Sequence, residues 1–243
     1  MPSHKKSLPI GMETFTDILT QNMYYVDKTN FISDLLENKS TINHFTRPRR
    51  FGKTLNMDML RTFFEPDHDH TIFQNLNISK NNSLCTSHMG KYPVISLSLK
   101  GVINTTFSGA RYMLSTCLAE EFRRHDYLSN SPHISVIEKI KFEQYCKMDI
   151  EPIEPDDSLR FLSILLNKHH TQKVIVLIDE YDVPLDKAHQ YGYYDEMISL
   201  IRNTLSQVLK TNSSLFFAVL TGCLRISKES VFTIRHSLLQ EKM

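Results

Sequence analysis

The sequence predicts an α/β domain built on a mainly parallel sheet, and three observations point there. Short β-branched runs alternate with longer runs of helical period. One short run, VIVLI at 174–178, is apolar at every position, as a strand covered on both faces must be. The stretches between runs have crossover length, which parallel neighbours require.

The elements follow in order. Residues 41–46 (TINHFT) form a strand that ends at Arg47-Pro48, and 52–64 form a helix with Leu55, Met59, Leu60 and Phe63 on one face. The alternating, β-branched PVISLSL at 93–99 is a second strand. Ala110, Met113, Leu114, Cys117, Leu118 and Phe122 recur at helical spacing through 108–124. The acidic turn Asp156-Asp157-Ser158 starts another helix, with Leu159, Leu162, Leu165 and Leu166 as its stripe. The apolar run and its carboxylate make a strand at 174–179, a helix follows over 194–210, and LFFAVL at 215–220 is the last strand.

Composition narrows the functional classes. The 243 residues are 41% hydrophobic and 23% charged, enough for one large domain or two small ones with a buried core. Twenty-eight Lys and Arg against 27 Asp and Glu leave a net charge of +1, which excludes a basic nucleic-acid coat and an acidic tail. No apolar stretch approaches the ~20 residues of a membrane span, and residues 1–10 lack the apolar core of a secretory signal. Cys85, Cys117, Cys146 and Cys223 are too scattered for zinc spacing, so a reducing compartment is expected, cytoplasmic with nuclear left open.

Two stretches carry chemistry. Arg47-Pro48-Arg49-Arg50-Phe51-Gly52-Lys53-Thr54 follows a strand and opens a helix, where turn amides and the helix dipole favour an anion. Lys53 is placed to neutralise β- and γ-phosphates and Thr54 to ligate Mg²⁺. Arg47 stands where the consensus has its first glycine, and Pro48 removes a donor amide. Taken alone, a phosphate loop and a plain basic turn are equally open.

Asp179-Glu180 ends the fully apolar strand in the manner of a Walker B motif. Asp179 is expected to hold Mg²⁺ and Glu180 to activate water as general base. Both motifs would fall at the carboxyl ends of strands, where open α/β sheets bind ligands. In the segment after the last strand, Thr221 is expected between the two motifs as a γ-phosphate sensor, and Arg225 as a charge-stabilising group.

Four polar clusters read as structural. Asp67-His68-Asp69-His70 is expected to be a solvated loop, and His169-His170 a helix end favoured by the dipole. Cys117 is expected in the core, and Arg123-Arg124-His125 at a solvated helix end.

The motifs resemble the predicted AAA-ATPase-like proteins. The matching text includes LPIG at 8–11, YYVDKT at 24–29, FTRPRRFGKTLN at 45–56, GKYPVI at 90–95, IDEYDVPL at 178–185, GYYD at 192–195 and LTGCLRISKES at 220–230. Arg in place of the first glycine is this family's habit. The resemblance covers roughly 8–233 and implies a P-loop NTPase three-layer sandwich with an extra strand between the two nucleotide motifs, which 93–99 fits. It implies that 25–29 frame the base. It also implies ATP and Mg²⁺ as ligands, with Arg49, Arg50, Phe51, Gly52, Lys53 and Thr54 on the nucleotide and Thr54 and Asp179 on the metal.

Family members commonly continue into a helical lid and a PD-(D/E)xK nuclease-like domain. The match fades after Thr233, so residues 234–243 are expected to be an unrelated tail and the chain a truncated member. Three readings follow: an ATPase, a non-catalytic nucleotide-binding or interaction remnant, and a nucleic-acid-binding module using Arg47, Arg49 and Arg50. A homo-oligomer whose neighbour lends an arginine belongs to the first reading. No membrane partner is expected, and nucleic acid only through a nuclease-like domain.

Overall fold

A computed structural model describes residues 6–147 and 155–223. The elements run α1 (Phe15–Thr20), α2 (Asn30–Asn38), β1 (Ile42–Thr46), α3 (Lys53–Phe64), α4 (Asn82–His88), β2 (Val94–Ser98), α5 (Phe107–Arg124), α6 (Val136–Cys146), α7 (Ser158–His170), β3 (Val174–Asp179), α8 (Val183–Tyr191), α9 (Tyr194–Leu209) and β4 (Leu215–Gly222). Among the described residues the sheet has four strands, all parallel, in the order β1-β4-β3-β2.

Side-chain alternation explains the layering. Val174, Val176 and Ile178 of β3 enter one core with residues of α5, α7 and α9; Ile175 and Leu177 enter another with residues of α1, α2 and α3. Every β3 residue is buried, so the uninterrupted apolar run is what two covered faces demand. The result is the expected α/β sandwich.

The strand lying between the two motif strands in space is β4. It pairs with β1 on one side and β3 on the other, whereas β2, within the 93–99 run, is the edge strand beside β3 among the described residues. The 93–99 segment therefore separates the motifs along the chain and not across the sheet. β4 also runs two residues beyond the expected end, so Thr221 sits within the strand opposite Phe45.

Several helices carry no readable stripe. In α6 the apolar Val136, Ile137 and Ile140 point outward, while Phe142 and Tyr145 face the core. Its start is set by a capping box in which Ser135 and Glu138 satisfy each other's backbone amides. α8 begins with Pro184 in its first turn and ends at Gly192, whose φ of +83° closes the helix.

Arg123 is exposed as expected, but Arg124 and His125 depart from the expected solvated end. The Arg124 guanidinium donates to Glu121, Glu65 and the Val94 carbonyl, and His125 is buried with Nε2 3.3 Å from Glu121 Oε1. Glu121 also accepts from the Ser96 amide at 2.8 Å, so the end of α5 is fastened to β2. Burial pushes the Glu121 carboxyl up, but His125 and Arg124 outweigh it and hold it below its ordinary value. Tyr127 extends the network, its hydroxyl 3.2 Å from His125 Nδ1 and 2.9 Å from His170 Nε2.

The Asp67–His70 cluster is likewise engaged in local structure. His68 and His70 lie 3.0 and 3.1 Å from the Glu65 carboxylate and carbonyl, and Asp69 accepts from the Thr71 amide at 2.9 Å. Cys117 is partly buried against the core, its thiol 3.2 Å from the Ser98 carbonyl.

Candidate functional site

At the carboxyl edge of the sheet, β1 leads into a six-residue turn, 47–52, and then into α3. The turn needs unusual backbone geometry. Gly52 is the N-cap of α3 at φ +75°, where glycine pays no steric cost, and Arg50 sits at φ +69°. An ordinary residue in that left-handed region costs about 1–2 kcal/mol, so the surrounding structure must hold Arg50 there. The turn is anchored through the Arg47 amide, which donates to the Gly222 carbonyl of β4 at 3.1 Å.

Lys53 begins α3 and folds back beneath the turn. Its Nζ donates to the Arg47 carbonyl at 2.9 Å, the Pro48 carbonyl at 3.2 Å and Cys223 Sγ at 3.3 Å. Only 4% of this lysine is exposed. The turn therefore coordinates the ammonium with its own carbonyls, in the manner of a phosphate's oxygens.

The next residue meets the second motif. Thr54 Oγ1 donates to Asp179 Oδ2 at 2.7 Å, and Thr221 Oγ1 donates to Asp179 Oδ1. Asp179 is 5% exposed and Thr221 fully buried, so one carboxylate ties together α3, β3 and β4. The hydroxyl and carboxylate side by side suit a hard cation that takes one or two protein oxygens and completes its shell with phosphate and water. Among the described residues, no group of three or more His, Cys, Asp or Glu is placed to hold a metal ion by itself.

Glu180 is the first residue past β3, at φ +53°. Burial first, then the neighbouring Asp179 charge, raises its carboxyl above the ordinary value; Lys100, Lys53 and Arg49 act in the opposite direction.

These groups border a cavity of about 560 Å³. Arg49, Arg50, Gly52, Lys53, Thr54 and Glu180 line it. Asp179 and Thr221 lie buried behind that wall, and Phe51, 55% exposed, is on the turn but not on the wall. Arg225 and residues 234–243 fall outside the described residues.

The cavity also has walls that the motifs did not announce: Gly11, Met12 and Glu13 from the segment before α1, Lys100 after β2, and Lys187 on α8. Residues 25–29, expected to frame a base, are not on this wall. Tyr25 packs its hydroxyl 3.5 Å from Met59 Sδ, and Asp27 accepts from the Thr29 and Asn77 amides at 2.9 and 2.6 Å.

Asp182 and Gly222 lie within the matching strings but carry no assigned role there. Asp182 accepts from the Cys223 amide at 2.8 Å. A Cβ at Gly222 would lie 2.7 Å from the Tyr181 ring and 2.8 Å from Asp182 Oδ1, so the close approach of β4 to the 180–182 turn requires glycine.

Comparison with known proteins gives one family. A family model described as predicted AAA-ATPase (AAA-ATPase-like) matches residues 9–232. An uncharacterized protein in the vnfD 5' region of Azotobacter chroococcum mcd 1 is 28% identical over 233 residues. That match covers 94% of this chain and 39% of the relative, so the chain spans well under half of the relative's length. No solved structure matches. Among the described residues, no helix is long and apolar enough to cross a membrane.

Proposed function

The chain belongs to the predicted AAA-ATPase family, and on that premise we propose that it binds ATP at the carboxyl edge of its sheet and hydrolyses it with Mg²⁺. The observation that carries this reading is the convergence of Lys53, Thr54, Asp179 and Thr221, drawn from α3, β3 and β4, behind one cavity rich in cationic side chains.

The roles follow from the contacts. Phosphate oxygens replace the Arg47 and Pro48 carbonyls as acceptors for Lys53, and the amides at the start of α3 add a dipole favourable to the anion. Arg49 and Arg50 add charge along the same wall. Thr54 and Asp179 would hold Mg²⁺, which when bound would supply neutralisation of phosphate charge. Glu180 accepts a proton from the attacking water as its oxygen bonds to the γ-phosphorus and the bond to ADP breaks. A base buried enough to have a raised pKa is better matched to that task at neutral pH than a free glutamate. Thr221, fastened to the same carboxylate, keeps Asp179 oriented.

The test is Mg²⁺-ATP calorimetry on the chain and on Lys53→Ala. Loss of charge-assisted bonds worth about 1.5–3 kcal/mol weakens binding by roughly 10- to 150-fold. Equal affinity in the folded variant would sink the assignment. Binding without phosphate release above background would leave the non-catalytic module as the better reading. DNA binding that competes with ATP and falls steeply with salt would favour a nucleic-acid module.

A further inference from the structure

Among the cavity residues that no motif contains, two are already paired. Lys100 Nζ donates to Glu13 Oε1 at 2.7 Å, and both side chains are 55% exposed. They come from segments 87 residues apart.

Each partner has a fixed backbone. Lys100 follows the end of β2, where the Leu99 amide donates to the Asp179 carbonyl at 2.9 Å, so its stem starts beside the Asp179-Glu180 turn. Glu13 precedes α1, and the Phe15 amide donates to Asp58 Oδ2 of α3 at 2.7 Å. The pair thus joins the β2 end of the sheet to the helix that carries Lys53 and Thr54.

The cavity wall holds five cationic side chains, Arg49, Arg50, Lys53, Lys100 and Lys187, against the carboxylates Glu13 and Glu180. Lys53 approaches from beneath the 47–52 turn, whereas Lys100 approaches from the edge strand next to Glu180. We propose that Lys100 is a γ-phosphate cation held in reserve by Glu13, and that a triphosphate, but not a diphosphate, draws it away. This rests on the nucleotide reading above and adds to it a residue and an exchange.

The chemistry favours the exchange. A half-exposed ion pair is weak because water screens it, whereas an ammonium on a phosphate makes a stronger charge-assisted bond. Lys100 and Glu180 line the same cavity, and the Leu99–Asp179 backbone bond sets the two residues side by side, which places the ammonium's field at the Glu180 end of the cavity. As γ-phosphoryl charge spreads in the transition state, a cation on that side stabilises it from within the same chain.

The test is a ratio. Mg²⁺ complexes of ADP and of a non-hydrolysable ATP analogue are titrated by calorimetry into the chain, Lys100→Ala, Lys100→Arg and Glu13→Gln, after thermal melts show each is folded. Lys100→Ala is expected to weaken the triphosphate about tenfold and the diphosphate less than about twofold. Lys100→Arg restores most of the difference, and Glu13→Gln tightens the triphosphate alone. If Lys100→Ala changes both nucleotides equally, or neither, while Lys53→Ala still loses both, the role of Lys100 is refuted and the site stands. If the unaltered chain binds neither nucleotide, the site reading falls and the inference falls with it.

Discussion

Both ends of the sheet bury charged groups, yet they are organised in opposite ways. At the amino end, around β2, Arg124 is shared by Glu121, Glu65 and a backbone carbonyl, and Glu121 is further held by Ser96 and His125. Each charge there is answered by another charge of the protein. At the carboxyl end, cations outnumber carboxylates around a cavity, and Lys53 makes do with neutral carbonyls. The first arrangement satisfies itself and fastens a helix to a strand. The second carries an excess of positive charge around an open cavity, which favours an anion there.

Substitutions should separate the two ends. The largest expected effect is on turnover. Glu180→Gln should lower phosphate release by about 10²- to 10⁴-fold, the usual contribution of a general base, with little change in melting temperature. Undiminished turnover in that variant would remove Glu180 from the mechanism.

Glu121→Ala should do the reverse. Breaking a buried ion pair costs about 3–5 kcal/mol, and here the lower part of that range is expected because Arg124 keeps Glu65. Denaturant unfolding should show the loss while ATP affinity in the folded protein is retained. A drop in affinity with unchanged stability would break the comparison.

Gly222→Ala probes the join behind the carboxyl-end site. Overpacking against Tyr181 and Asp182 should cost about 1–3 kcal/mol in the same unfolding measurement. A neutral result would mean that the 180–182 turn yields more easily than its contacts suggest.

The smallest effect is on pH dependence, where the two carboxylates shift in opposite directions. Glu180 is raised, so its base form and the turnover are lost at a higher pH than for a free glutamate. Glu121 is lowered in the folded protein, so its contribution to stability is fully present above its unfolded pKa. That contribution disappears only as the pH falls through the depressed folded value. On acidification, phosphate release should therefore fail before the fold does. Coincident midpoints in rate and melting profiles would contradict this.

What was legible in the sequence follows the same division. The four strands and the Gly52-Lys53-Thr54 and Asp179-Glu180 motifs are local signals, because each depends on residues a few positions apart. Arg124 is a different matter. A basic helix end is usually solvated, and only the three-dimensional approach of Glu65, 59 residues earlier, makes it a partly buried crosslink. Glu13 and Lys100 are equally silent because neither lies in a motif and their meeting depends on where β2 places its end. α6 was hidden for another reason: its most apolar residues face outward, so its stripe points away from the core.

The position of β4 has a bearing on how the molecule comes to be. Among the described strands, β1 hydrogen-bonds to β4 alone, with Ile42 opposite Ala218, so the strand carrying the 47–52 turn is made early in synthesis and its described neighbour late. Closing so long a loop is entropically expensive and slow. Until β4 slides between β1 and β3, Thr221 is absent from Asp179, the Arg47 amide lacks its acceptor, and the edges of two strands stand open. The buried back of the cavity thus depends on β4 being seated between β1 and β3, and a ligand that fits there would favour chains whose central sheet has closed.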